Sequence, residues 1–371
     1  MTPFSIFRRT TDYGGLYAML LVNRLQMVYF ALVIPAYLVQ PYMIWAIFAA
    51  GVLSQLNLWL LSKWFASRYP EQGRGGFVNL FGGTTLRFLA AIGLVALTVK
   101  IIVITLGYTD IIQQFIFPTM NRTWLILFPA ALACFIAMHG MESLIRFVVI
   151  AFLCTFWILI LFLYFWFAGH GSIRDLYPIL PPSWSAGDWN SLLLLFSSLS
   201  GPEYLVCLAP WLNPRRHPLK YMSIGNTMTI LEYLVLFATA VIFYGPRYLS
   251  TIRFPVVDMT RYFQSPIFER IDIFVVPIHM IYFIYALSLF LLLFFGGVRI
   301  VANRANRPPV RTAFLVCCAI VTAAIACADE WSWESKVRLN IWQDLQIGLG
   351  AAGYAVVPLL LVVAIRRKGR A

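Results

Sequence analysis

Charge is what this sequence has least of. Only 12% of its 371 residues are Asp, Glu, Lys or Arg, and a soluble domain carries roughly twice that share. Acidic residues are the scarcer kind, 15 against 28 basic ones, which leaves a net charge of +13. That excess does not mark a nucleic-acid binder. The basic residues fall between apolar runs, where the positive-inside bias of membrane loops accounts for them, so no nucleic acid is expected as a partner. Histidine occurs four times. The chain has no H-E-x-x-H, no Walker loop, no G-x-S-x-G and no cluster spaced to ligate a metal. "GRGGFVNLFGG" lacks both the strand context and the Lys-Ser/Thr ending of a phosphate loop. Catalysis, a metal and a cofactor are therefore not expected. The six cysteines (Cys134, Cys154, Cys207, Cys317, Cys318, Cys327) lie inside apolar segments. Their spacing makes neither a disulfide framework nor a zinc site. Nor does "MTPFSIFRRTTDY" end in a small-residue cleavage site, so the apolar stretch after it reads as a first span and not as a signal peptide.

What the sequence has in abundance is apolar surface: 61% of residues are hydrophobic and the mean hydropathy is +0.80. This predicts an all-α polytopic membrane protein within a lipid bilayer, folded as a single transmembrane domain over residues 1–371. Apolar runs long enough to cross a roughly 30 Å core lay out as about ten helices. They are expected near 13–33, 42–62, 86–108, 123–139, 145–168, 190–211, 221–245, 271–297, 312–329 and 343–365. "GRGGFVNLFGG" reads as a short interfacial segment before the third. Loop charges predict both termini in the cytoplasm, with Arg8, Lys63, Arg146, Arg215 and Arg304 on the cytoplasmic side. Arg122, Arg174, Arg253 and most carboxylates fall on the far side.

Ten spans suggest two halves of five, 1–168 and 190–365, related as an inverted repeat whose first and sixth helices are broken at the midplane. The sixth carries the sign of a break: "LLLLFSSLSGPEYLVCLAPWL" holds Ser200, Gly201, Pro202 and Glu203 within an apolar run. Its counterpart in the first half is "LYAMLLVNRLQMVYFALVIP", with Asn23 and Arg24 about halfway across. A broken helix offers backbone N–H and C=O groups to a ligand, which an unbroken one cannot.

Arg24, Lys100, Glu203 and Glu232 lie deep within the predicted spans, where each charge costs about 2.5 kcal/mol or more if it faces lipid. Partners or a wet cavity are implied. Arg24 and Glu203 either pair directly or flank a polar ligand, Arg24 near a carboxylate and Glu203 near an ammonium. Lys100 either lines the same cavity or pairs with a carboxylate. The candidate ligand-binding set is thus Asn23, Arg24, Lys100, Ser200, Gly201, Pro202 and Glu203. Glu232 is expected to make a structural pair, and His279, Tyr282 and Tyr285 to pack.

The stretch "FPVVDMTRYFQSPIFERIDIF" resembles the B subunits of the GerA-type spore germination receptors. A pattern similar to their F-P…R…F-x-E-R-x-D falls on Phe254, Pro255, Arg261, Phe268, Glu269, Arg270 and Asp272, with Glu269 directly after Phe268. "LYPILPP", the Pro202–Glu203 pair and "HGMESLIR" agree in order with that family, so the similarity runs over nearly the whole chain. The resemblance implies a LeuT-like fold of the amino acid–polyamine–organocation superfamily. It also implies a small-molecule germinant as ligand, A and C receptor subunits as partners, and the inner membrane of a bacterial spore as location. The loop Phe254 to Asp272 becomes a candidate extracellular lid over the ligand, or else a staple to neighbouring helices. Where the family has small residues at the break of the first helix, this chain has Asn23 and Arg24. That leaves an acidic ligand, an unusual one or an internal salt bridge as alternatives. The leading expectation is a germinant sensor; the rivals are a proton-coupled amino-acid or amine transporter and an inert scaffold.

Overall fold

The computed structural model describes residues 10–28, 38–166, 172–180, 186–212, 217–262, 271–333 and 341–368. Among these the protein is helical throughout, without strands. The main helices are α1 (Gly14–Met27), α2 (Ile44–Phe65), α3 (Gly83–Phe115), α4 (Arg122–Ala137) and α5 (Met141–Tyr164), followed by a split sixth, α6a (Ala186–Ser198) and α6b (Leu205–Leu212). Then come α7 (Pro218–Leu249), α8 (Asp272–Val301), α9 (Arg311–Trp331) and α10 (Ile341–Lys368). Eight described helical segments are long and apolar enough to cross a membrane, and α4 is a shorter apolar helix.

Local chemistry sets the boundaries. Pro218 opens α7, where a missing N–H costs nothing. The Asn121 side chain caps α4 by accepting from the Thr123 N–H at 2.9 Å. "GRGGFVNLFGG" forms the short helix Arg74–Phe81, and Gly82, at φ 79°, turns the chain from it into α3.

The helices match the expected spans, with three differences. The first is that α1 runs unbroken through Asn23 and Arg24 to Met27, while 29–33 of the expected span lies outside the described residues. The second is that α3 continues seven residues past its expected end at 108, because the Asp110 carboxylate is neutralised there by arginines from elsewhere in the chain. The third is that α7 reaches Leu249 across a kink at Gly245, whose φ is 69°.

Every residue of α1 from Leu20 to Met27 is buried. This helix packs on α7, α5 and α6b, and α8 packs on α3, α4 and α5. Close approach depends on glycine, as is common between membrane helices. A Cβ at Gly225 of α7 would overlap the Met19 carbonyl oxygen of α1.

Candidate functional site

Among the polar clusters in and around α1, two hold the residues expected at the site. In the first, the Arg24 guanidinium donates to Glu232 Oε1 of α7 at 2.7 Å, to Thr155 Oγ1 of α5 at 2.6 Å and to Asn23 Oδ1 at 2.8 Å. Asn23 Nδ2 completes the set by donating to Glu232 Oε2 at 3.2 Å and Thr229 Oγ1 at 3.1 Å. The Arg24 and Glu232 side chains are only 3% and 4% exposed. A planar fork of donors suits this geometry, in which three guanidinium nitrogens each serve a different side chain. The faces of Phe152 and Tyr282 lie 5.1 and 5.6 Å from the guanidinium carbon and add cation–π attraction. The Tyr282 hydroxyl donates to the Arg24 carbonyl, and Tyr108 shares a 2.9 Å hydrogen bond with His279 Nε2.

The second cluster is the break of the sixth helix. Helix α6a ends at Ser198, and the chain resumes in a single turn, Pro202–Tyr204, before α6b. Gly201 takes φ 156°, and a Cβ there would lie 2.7 Å from the Leu25 Cβ of α1. Only glycine fits this approach. The Glu203 carboxylate accepts from the Gly201 N–H at 2.6 Å. Lys100 reaches across from α3, with Nζ 3.0 Å from both the carbonyl and the hydroxyl of Ser200.

The expected juxtaposition of Arg24 with Glu203 is not found. Arg24 pairs with Glu232, the residue assigned a structural pair without a named partner, because the face of α1 that carries Arg24 toward α5 and α7 is rotated by about 100° from the Leu25 face that meets the break. Hydropathy places both charges at mid-depth but cannot supply that rotation.

A cavity of about 80 Å³ opens on the Arg24 side of α1. Arg24, Glu232 and Thr155 form its polar floor, and Tyr108 and His279 one wall. Its cover is the connection after α7, where Val256, Val257 and Thr260 face inward. Of the seven residues expected around a ligand, Arg24 alone lines this cavity; Asn23 stands behind it, and Lys100, Ser200, Gly201, Pro202 and Glu203 belong to the break.

The connection itself is built as a small plug. Phe254 is buried, Pro255 starts the short helix Pro255–Met259, and Tyr244 donates to Asp258 at 2.8 Å. Arg261 is half exposed and stands 3.9 Å from Asp258. Asp272 is buried at the start of α8. Phe268, Glu269 and Arg270 lie outside the described residues.

One further group escaped sequence reasoning. Asp110, at the end of α3, accepts from Arg122 at 2.6 Å, from Trp333 Nε1 at 3.0 Å and from Arg253 of the cavity cover. Arg122 also donates to Asp329 at 2.7 Å. This network ties the cover to the ends of α3, α4 and α9. The available signal was two arginines and two aspartates assigned to one end of the spans.

A sequence model for the spore permease family, described as spore germination protein, matches residues 44–330. The chain belongs to this spore germination protein family. No protein of curated function matches it in sequence. In three dimensions the family member is similar to the manganese transporter of Eremococcus coleocola. A mutant of that transporter superposes with a TM-score of 0.54 at 11% identity, covering 98% of this chain and 79% of that one. The same transporter in complex with an aromatic bis-isothiourea substituted compound gives 0.53 at 11% identity with the same coverage. At that identity the likeness carries the fold, a LeuT-like membrane-transporter architecture, and the spore germination protein is permease-like in this sense.

Proposed function

We propose that this spore germination protein is the germinant-sensing B subunit of a germination receptor, working with A and C subunits in the inner spore membrane with both termini cytoplasmic. The observation that supports it most is the cavity beneath the connection after α7. A pocket with an apolar wall, a few convergent polar groups and a cover made by a loop is the usual form of a small-molecule site. Its volume is about 80 Å³, roughly half that of a 150 Å³ cavity that accepts benzene. In this state the cavity is smaller than an amino acid, so a nutrient of about that size, with a polar end for Arg24, Thr155 or Thr260, enters as the cover yields and widens it. Arg24 is already neutralised by Glu232, so the floor offers a donor fork and an acceptor carboxylate together, which suits a zwitterion better than a simple anion. A ligand that binds the covered state better than the open one shifts the receptor toward it by that difference in affinity. The Ser200–Glu203 break, in contact with α1 through Leu25, is the adjoining element that such a shift moves.

Spores carrying Val257→Trp test this reading. The indole fills the cavity from its cover, so response to every single nutrient that triggers wild-type spores through this receptor should be lost at unchanged subunit abundance. An unaltered dose response refutes it. The manganese-transporter likeness supports one second reading, a proton-coupled transporter of amino acids or amines in which Glu203 or Lys100 changes protonation. Uptake of labelled amino acid by proteoliposomes holding the subunit alone would favour that reading.

A further inference from the structure

Lys100 is only 2% exposed and Ser200 1%. Among the described residues no carboxylate lies within 4.0 Å of the Lys100 ammonium; Glu203, which attracts it across the break, is itself turned to the Gly201 N–H. The partners of Nζ are instead the oxygens of Ser200, two residues past the end of α6a, and the faces of Tyr204 and Phe290 at 5.1 and 5.7 Å. The carbonyl end of a half-helix carries partial negative charge. Carbonyl and hydroxyl oxygens at such an end are the donor set that dissolved cations take where membrane helices are broken. Across the break the polarity is reversed, and the Glu203 carboxylate serves the N–H side. Each half of the break thus receives the charge its dipole calls for, both from the chain itself.

We propose that the break of the sixth helix is a monovalent-cation site occupied permanently by the Lys100 ammonium, so that the protein's conformational equilibrium requires no dissolved ion. Two aromatic faces beside the oxygens make the site selective for a primary alkylammonium over a bare alkali ion. The inference goes beyond germinant sensing and stands whichever ligand the α1 cavity takes.

The test is thermal unfolding of the purified full-length protein in detergent at constant ionic strength. Wild type should keep the same Tm when sodium is exchanged for potassium or choline. Lys100→Ala should melt lower, and n-propylammonium, which replaces the missing stem and charge, should restore at least half of the lost shift in a saturable way. Tetramethylammonium, too wide for the stem's channel, should restore none of it. Sodium-specific stabilisation of wild type, or a Lys100→Ala variant that melts like wild type or ignores propylammonium, overturns the proposal. Should Lys100→Ala fail to accumulate, Lys100→Arg and Lys100→Gln decide by membrane abundance. Arginine should retain it and glutamine lose it; equal abundance of the two would mean that a hydrogen bond and not a cation is what the break holds, and would equally overturn it.

Discussion

Replacing Glu232 by glutamine removes one charge and almost no volume, so it isolates the electrostatics of the cavity floor. In the native protein both carboxylate oxygens accept, one from Arg24 and one from Asn23. A glutamine amide must turn its NH2 toward one of these two donors, so one hydrogen bond becomes a donor–donor contact and the guanidinium is left without its counter-charge. Removing one partner of a buried pair costs about 3–5 kcal/mol. At about 1.4 kcal/mol per tenfold, the folded fraction relative to the unfolded falls by between two and four powers of ten. Glu232→Gln and Arg24→Met should each lower abundance in the membrane fraction, read by immunoblot, and lower the Tm of the solubilised protein, read by tryptophan fluorescence. The double variant Arg24→Met/Glu232→Leu should recover both, since a buried pair exchanged for apolar residues of similar volume is neutral or favourable. Thr155 still donates to the Ala151 carbonyl at 2.8 Å and Asn23 to Thr229 at 3.1 Å, while Asn23 Oδ1 loses its Arg24 donor, which holds the recovery short of wild type. Nutrient response should stay absent in the double variant because the donor fork is gone. Wild-type abundance and Tm for both single variants, or a double variant no better than the worse single, would refute the reasoning.

Gly201→Ala places a Cβ 2.7 Å from that of Leu25 and should cost about 1–3 kcal/mol, lowering Tm; an unchanged Tm means the break and α1 are not in contact. Asp110→Asn removes the charge that gathers Arg122 and Arg253, so amide exchange across Arg253–Tyr262 should quicken and the nutrient concentration needed for half response should rise. Unaltered exchange there would show that the network does not hold the cover. With termini in the cytoplasm, a cysteine at Ser250 should label from outside intact protoplasts and one at Pro308 should not, and the reverse pattern would invert the topology.

Hydropathy was sufficient for the spans because the bilayer imposes a one-dimensional rule: apolar length is written along the chain. The break of the sixth helix was equally legible, since Gly201 and Pro202 beside a carboxylate inside an apolar run have few other uses. The "F-P…R" loop led to the family because its residues are close in sequence. Partnership between the buried charges was not legible in this way. Arg24 and Glu232 are 208 positions apart, and Arg24 and Glu203 matched equally well in depth. Choosing between them required the rotation of α1, which comes from the fit of Leu25 onto Gly201 on one side and of Met19 onto Gly225 on the other. The same rotation put the cavity beside Arg24 and left Lys100 to the broken helix. Depth in the membrane is a property of each segment alone; azimuth is a property of the packed bundle, and only the tertiary structure decided it.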